Sequence, residues 1–130
     1  MKMLEAYSAQ LLSVLRIMTG LLFLQHGASK YLGFPASKFS GVSPMTMGGV
    51  AGMFELVGGI LIVLGLFTRP VAFVLSGLMA VAYFYAHAPR GFFPLLNGGE
   101  LAVLYSFVFL YLSARGGGPW SLDQWLSRSG

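Results

Sequence analysis

Three charged residues, Arg16, Glu55 and Glu100, interrupt stretches that are otherwise apolar, and two histidines, His26 and His87, sit towards the ends of such stretches. An ionised side chain at the centre of a bilayer costs on the order of 2.5 to 3.5 kcal/mol on insertion scales, so it signals a partner and often a task. A guanidinium presents a rigid fork of donors that fits a carboxylate, which makes Arg16 and Glu55 the expected pair. One Arg cannot neutralise two Glu. The remaining carboxylate must be protonated, solvated or matched by a protonated imidazole, and that imbalance points to proton handling or ligand binding. His87 and Glu100 are the candidate acid and base. The candidate ligand-binding set is Arg16, Glu55, Tyr83, His87, Asn97 and Glu100, with Tyr83 and Phe84 placed to flank a flat ligand, while His26 is expected to make interfacial hydrogen bonds. The competing reading is structural: a buried Arg and Glu that only fix helix register. Two His and two carboxylates without ligand spacing do not indicate a metal. Cysteine is absent, so the chain has no thiol chemistry of its own, and no Walker, Rossmann, haem or iron–sulfur motif indicates a held nucleotide or cluster.

The elements that would position these groups follow from composition. Of 130 residues, 56% are hydrophobic and 9% charged, against about 25% charged in soluble domains. So small a core could not hide that much apolar surface from water, whereas lipid can. Four apolar stretches of spanning length, about 8–28, 47–67, 71–87 and 98–114, give an all-α integral membrane four-helix bundle, up-down-up-down and antiparallel, as one domain over 1–130. Arg16 argues against reading the first stretch as a cleaved signal peptide, because a charge is out of place in its apolar centre. Residues 30–46 form a loop, broken by Pro35, Gly41 and Pro44; Thr68-Arg69-Pro70 makes a tight turn with Pro70 at the start of the next helix; residues 88–97 form a second loop. Residues 118–128 read as an amphipathic tail in which Ser121 caps a turn carrying Trp120, Leu122 and Trp125 to the membrane surface.

Helical rise places Arg16 about 12 Å into the first span and Glu55 about 11 to 12 Å into the second, measured from opposite faces. Glu100, His26, His87 and Asn97 then gather on the face bearing the two loops, and Arg16 reaches towards them to complete a polar pocket. Glycines at 48, 52 and 59 share a helical face with Glu55, and Gly20 and Gly27 share one with Arg16 and Phe23, so close helix packing is expected at both. Lys2, Arg69, Arg115 and Arg128 outnumber Lys30, Lys38 and Arg90, which by the positive-inside rule puts both termini in the cytoplasm. The net charge of +4 is scattered singly rather than in a stripe, which excludes a nucleic-acid partner.

Taken in order, Arg16-x3-Gly20-x2-Phe23-x2-His26-Gly27-x2-Lys30, Glu55-x2-Gly58-Gly59, Gly65, Thr68-Arg69, His87, Asn97-Gly98-Gly99-Glu100 and Ser121-Leu122-Asp123 resemble the DoxX family of small bacterial and archaeal membrane proteins. The resemblance implies a four-helix inner-membrane protein and association with quinone-linked oxidoreductases. The expected function is therefore a redox-associated membrane subunit that binds a quinone or related small molecule in the polar pocket and takes electrons from a partner oxidoreductase. The alternative is a non-enzymatic scaffold, assembly factor or small-solute transporter, acting alone or as a homo-oligomer in the bilayer.

Overall fold

In the computed structural model the chain is described over residues 1–129, all-α and with no strand among them. The side chains of residues 128 and 129 lie outside the description, and so does the side chain of the Arg128 counted in the charge asymmetry. The helices are α1 (Lys2–Glu5), α2 (Ser8–Leu32), α3 (Met47–Leu64), α4 (Thr68–Ala82), α5 (Pro94–Asn97), α6 (Glu100–Arg115) and α7 (Leu122–Ser129). A wide π turn, Tyr83–His87, and a 3-10 turn, Ala88–Arg90, prolong α4. Three helical stretches, Ser8–Leu32, Met47–Leu64 and Thr68–Arg90, are long and apolar enough to cross a membrane. The fourth apolar helix, α6, has 16 residues.

Backbone chemistry sets the boundaries, and it moves several of the expected ones. The first span continues a turn beyond residue 28, taking in Lys30, because nothing stops it before Gly33 adopts the left-handed conformation that ends α2. Thr46 caps α3, its hydroxyl oxygen accepting from Gly49 N at 3.0 Å. The other end of α3 comes three residues before the expected 67. Gly65, at φ 70°, donates to Ile62 O, and Leu66 N reaches back to Leu61 O, the paired bonds of a Schellman stop. Thr68 then opens α4, so Pro70 stands third in the helix rather than first, still among the positions whose N–H has no intrahelical acceptor. The expected loop at 88–97 contains the 3-10 turn and α5, and α6 starts at Glu100 rather than at 98. Ser121 caps α7 as expected, accepting from Gln124 N at 3.2 Å.

Packing is strongest within two helix pairs, α2 with α3 and α4 with α6. The first is a glycine seam: a Cβ on Gly20 would lie 2.9 Å from Val63 N and one on Gly59 2.8 Å from Leu24 Cα, while Gly27 lies against the Leu56 backbone. These contacts keep one antiparallel register along the helices, so both expected glycine faces meet each other. The second pair is stapled by serines, Ser76 Oγ donating to Ser106 O (2.7 Å) and Ser106 Oγ to Ser76 O (3.0 Å). Between the pairs lies the core of Phe23, Ile62, Ala72, Leu75, Met79, Tyr105, Phe109 and Leu112. Outward, α2 exposes Val14, Met18, Leu21 and Leu22, α4 Phe73 and Val74, and α6 Leu104 and Phe107. Apolar outer faces around an interior that holds the charges are the arrangement of a membrane protein, which this chain is.

Candidate functional site

The buried charges occupy two separate places, and the expected Arg16–Glu55 pair does not form. Arg16 is 1% exposed. It donates from Nε to Ile62 O (2.9 Å), from Nη2 to Trp120 O (2.8 Å) and more weakly to Val63 O (3.4 Å), and from Nη1 to Gly117 O. Ile62 and Val63 belong to the last turn of α3, whose carbonyls lack intrahelical donors and form the negative end of the helix dipole, so a cation there is stabilised without a carboxylate. The segment 116–121 folds back over the helix ends to supply the remaining acceptors. Its path depends on glycine: at Gly117 a Cβ would lie 3.1 Å from Arg16 Nη1, and at Gly65 3.0 Å from Arg16 Cζ. Ser13 ties down the same segment, donating to Gly117 O (3.2 Å) and accepting from Trp120 N (3.0 Å). Asp123 closes it, its two carboxylate oxygens accepting from Phe67 N (2.7 Å) and Thr68 N (2.9 Å) at the start of α4. A carboxylate at a helix N-terminus satisfies orphan donors and the dipole together.

Glu55, 6% exposed, pairs instead with Lys30 at 2.6 Å. The reason is axial distance: the α2 residue facing Glu55 is Gly27, about 16 Å along the helix from Arg16, beyond the reach of a guanidinium. Lys30 was placed in the loop by sequence, whereas the extra turn of α2 brings it onto the face of α3. Near this ion pair lie two polar groups with nothing to bond. His26 Nε2 and Tyr105 Oη are both buried and have no hydrogen-bond partner. Their rings meet edge to face at 6.3 Å, and His26 lies one turn before Lys30 on α2. His26 makes no hydrogen bond to another described residue.

Tyr83, His87 and Asn97 do come together, around the π turn. Asn97 Nδ2 donates to Tyr83 Oη (3.0 Å) and Gly91 O (2.9 Å), its Oδ1 accepts from Gly99 N (2.8 Å), and His87 Nδ1 lies 3.1 Å from Asn97 O. Tyr83 stacks on His87 at 6.3 Å and leans on Phe84 at 5.4 Å. The buried Asn97 therefore knits the turn together, and a π turn is a frequent feature of functional sites. Glu100 does not join it. Exposed at the first position of α6, it makes no hydrogen bond or ion pair among the described residues, although Gly99 before it packs against the His87 ring.

Sequence reasoning thus missed Lys30, Tyr105 and Asp123. Lys30 had a signal, because it lies three residues from Gly27 and four from His26 and so shares their face. Tyr105 had a weaker one, a phenol four residues before Phe109 in an apolar helix. The partners of Arg16 had none, being carbonyls.

The fold and the polar places define a small helical membrane protein with Arg16 and Glu55 buried among its helices. The DoxX family profile matches residues 11–88, and the chain belongs to the DoxX family. An uncharacterized protein of Haemophilus influenzae is 49% identical over 130 residues, covering 95% of this chain and 96% of its own. A Bacillus subtilis protein named "Putative oxidoreductase CatD" is 31% identical, covering 85% of this chain and 82% of its own. An uncharacterized membrane protein of Mycobacterium tuberculosis is 28% identical, covering 98% and 88% respectively. No solved structure matches the chain.

Proposed function

We propose that the protein is a redox-associated subunit of the bacterial inner membrane, a four-helix up-down-up-down bundle that binds a quinone-class ring at its loop end. The observation that carries this reading is the pair of buried, unpartnered groups, His26 Nε2 and Tyr105 Oη, beside the Lys30–Glu55 ion pair. A buried polar atom left unpaired costs about 1 to 3 kcal/mol, and a ligand that pairs it recovers that cost. The phenol and the imidazole are suited to the carbonyl oxygens of a quinone, and the apolar core around them, with Phe23 and Phe109 against Tyr105, suits its ring. Glu55 and Lys30 would hold or move protons beside it, while His87 and the exposed Glu100 would exchange them with water at the loop end. Quinone supplies the electron-accepting chemistry when bound, and the electrons come from a partner oxidoreductase. The oxidoreductase name carried by the Bacillus subtilis relative points the same way.

Arg16, assigned to the ligand by sequence, has no place in this site, since it lies about 16 Å along α2 from Gly27 and is held there by carbonyls. Solvent extraction of protein purified from native membranes is expected to yield about one quinone per chain. Protein without extractable quinone that also shows no thermal shift with ubiquinone or menadione would refute the reading.

One observation favours the scaffold alternative: Glu55 is neutralised by Lys30 within a glycine seam, as a register-fixing pair would be. Under that reading, Glu55→Gln changes helix association or partner co-purification and leaves quinone content untouched. A transporter would instead show solute flux in proteoliposomes.

A further inference from the structure

At the opposite end from the proposed quinone site, a groove of about 620 Å³ opens between the start of α4, the end of α6 and α7, with Arg69, Arg115, Thr68 and Gly116–Gly118 in its wall. We infer that this groove binds a phosphate oxyanion, delivered as the headgroup of an anionic phospholipid.

Four features support the inference. The Arg115 guanidinium makes no hydrogen bond or ion pair among the described residues, although it sits at the mouth of a buried polar turn. Arg69 is held beside it by donating from Nη1 to Ala114 O and from Nη2 to Arg115 O (3.2 Å), which fixes a second positive charge in place. The carboxylate in the wall, Asp123, has both oxygens engaged by the backbone of Phe67 and Thr68, so it does not compete for the arginines. Thr68 is fully buried, yet its Oγ1 has no partner and faces the Gly117 backbone.

Glycine completes the cradle. Gly116 and Gly118 have φ of 86° and 81°, a conformation in which side chains are strained, and this lets the chain turn back along the groove with Gly116 against the Arg69 guanidinium. An oxyanion between two guanidinium groups and a hydroxyl donor is a strong charge-assisted arrangement. The location selects the lipid as its source. Trp120, Trp125 and Leu126 are exposed beside the groove, and aromatic and apolar side chains next to cations mark the headgroup level of a bilayer.

The test is lipid binding by the full chain purified in detergent, followed by native mass spectrometry and thermal shift. Phosphatidylglycerol is expected to bind at least about tenfold more tightly than phosphatidylcholine. Arg115→Ala should remove most of that preference and Thr68→Val should reduce it about threefold, with circular dichroism unchanged in both. Equal affinity for the two lipids, or an Arg115→Ala variant that keeps the preference, would overturn the site. Binding of inorganic phosphate without phosphatidylglycerol would overturn the lipid as its source.

Discussion

In the first half of α2 the Arg16 guanidinium is held by carbonyls of α3 and of the returning segment 116–121, whereas about four turns further on Lys30 pairs with Glu55 beside two groups that bond to nothing. Both ends bury charge inside the same antiparallel helix pair. The first is closed, since four of the five N–H donors of Arg16 are taken by carbonyls and glycines at 65 and 117 bring backbone to within contact of the guanidinium. The second is incomplete without something more. The difference teaches that a charge inside a span is an ambiguous signal: its partners, and not its depth, decide whether it holds the fold or serves a ligand.

The largest effect that would test this contrast is at the closed end. Arg16→Leu leaves the carbonyls of Val63 and Trp120 without their side-chain donor and Gly117 O with Ser13 alone; at about 1 to 3 kcal/mol for each unpaired buried group, we expect a loss of about 3 to 5 kcal/mol. This would be read as a collapse of the thermal midpoint and aggregation on gel filtration in detergent. Arg16→Lys should recover little of it, since a single ammonium cannot reach acceptors spread around a planar fork. An Arg16→Leu protein as stable as the wild type would erase the distinction between the two ends.

Next in size, Gly59→Leu should cost about 1 to 3 kcal/mol by overpacking. Its side chain would collide with the Leu24 backbone, prising apart the seam on which both ends depend. Asp123→Ala removes the cap from α4 and should cost about 1 kcal/mol. Because that cap tethers the returning segment, its loss is expected to expose residues 116–121 to hydrogen exchange while residues around Glu55 keep their protection.

Much of this architecture could be read in the sequence. The helical class, the glycine faces of α2 and α3, the burial of Arg16 and Glu55 and the Ser121 cap all come from side-chain type and spacing, which repeat with the helix. The pairing of Arg16 could not, because carbonyls are present at every residue and leave no mark. Gly116-Gly117-Gly118 left no sign of it either, since glycine carries no pattern to show that the chain turns back into the molecule. The Lys30–Glu55 pair was hidden by a boundary misplaced by one turn, which is enough to move a lysine from a loop onto a helix face. His87 and Asn97 were grouped by their level along the spans and Tyr83 by its place beside His87, and the three do meet, while Glu100, chosen by level, is exposed because level says nothing about direction.

The smallest change in stability carries the most direct test of the open end. In Tyr105→Phe a buried hydroxyl without a partner disappears, so the thermal midpoint of the ligand-free protein should stay within about 0.5 kcal/mol of wild type or rise. The ubiquinone-induced shift of that midpoint should be abolished. A Tyr105→Phe protein that melts lower than wild type yet keeps the full ubiquinone shift would mean that the phenol supports the fold and that the loop end holds no site at this place.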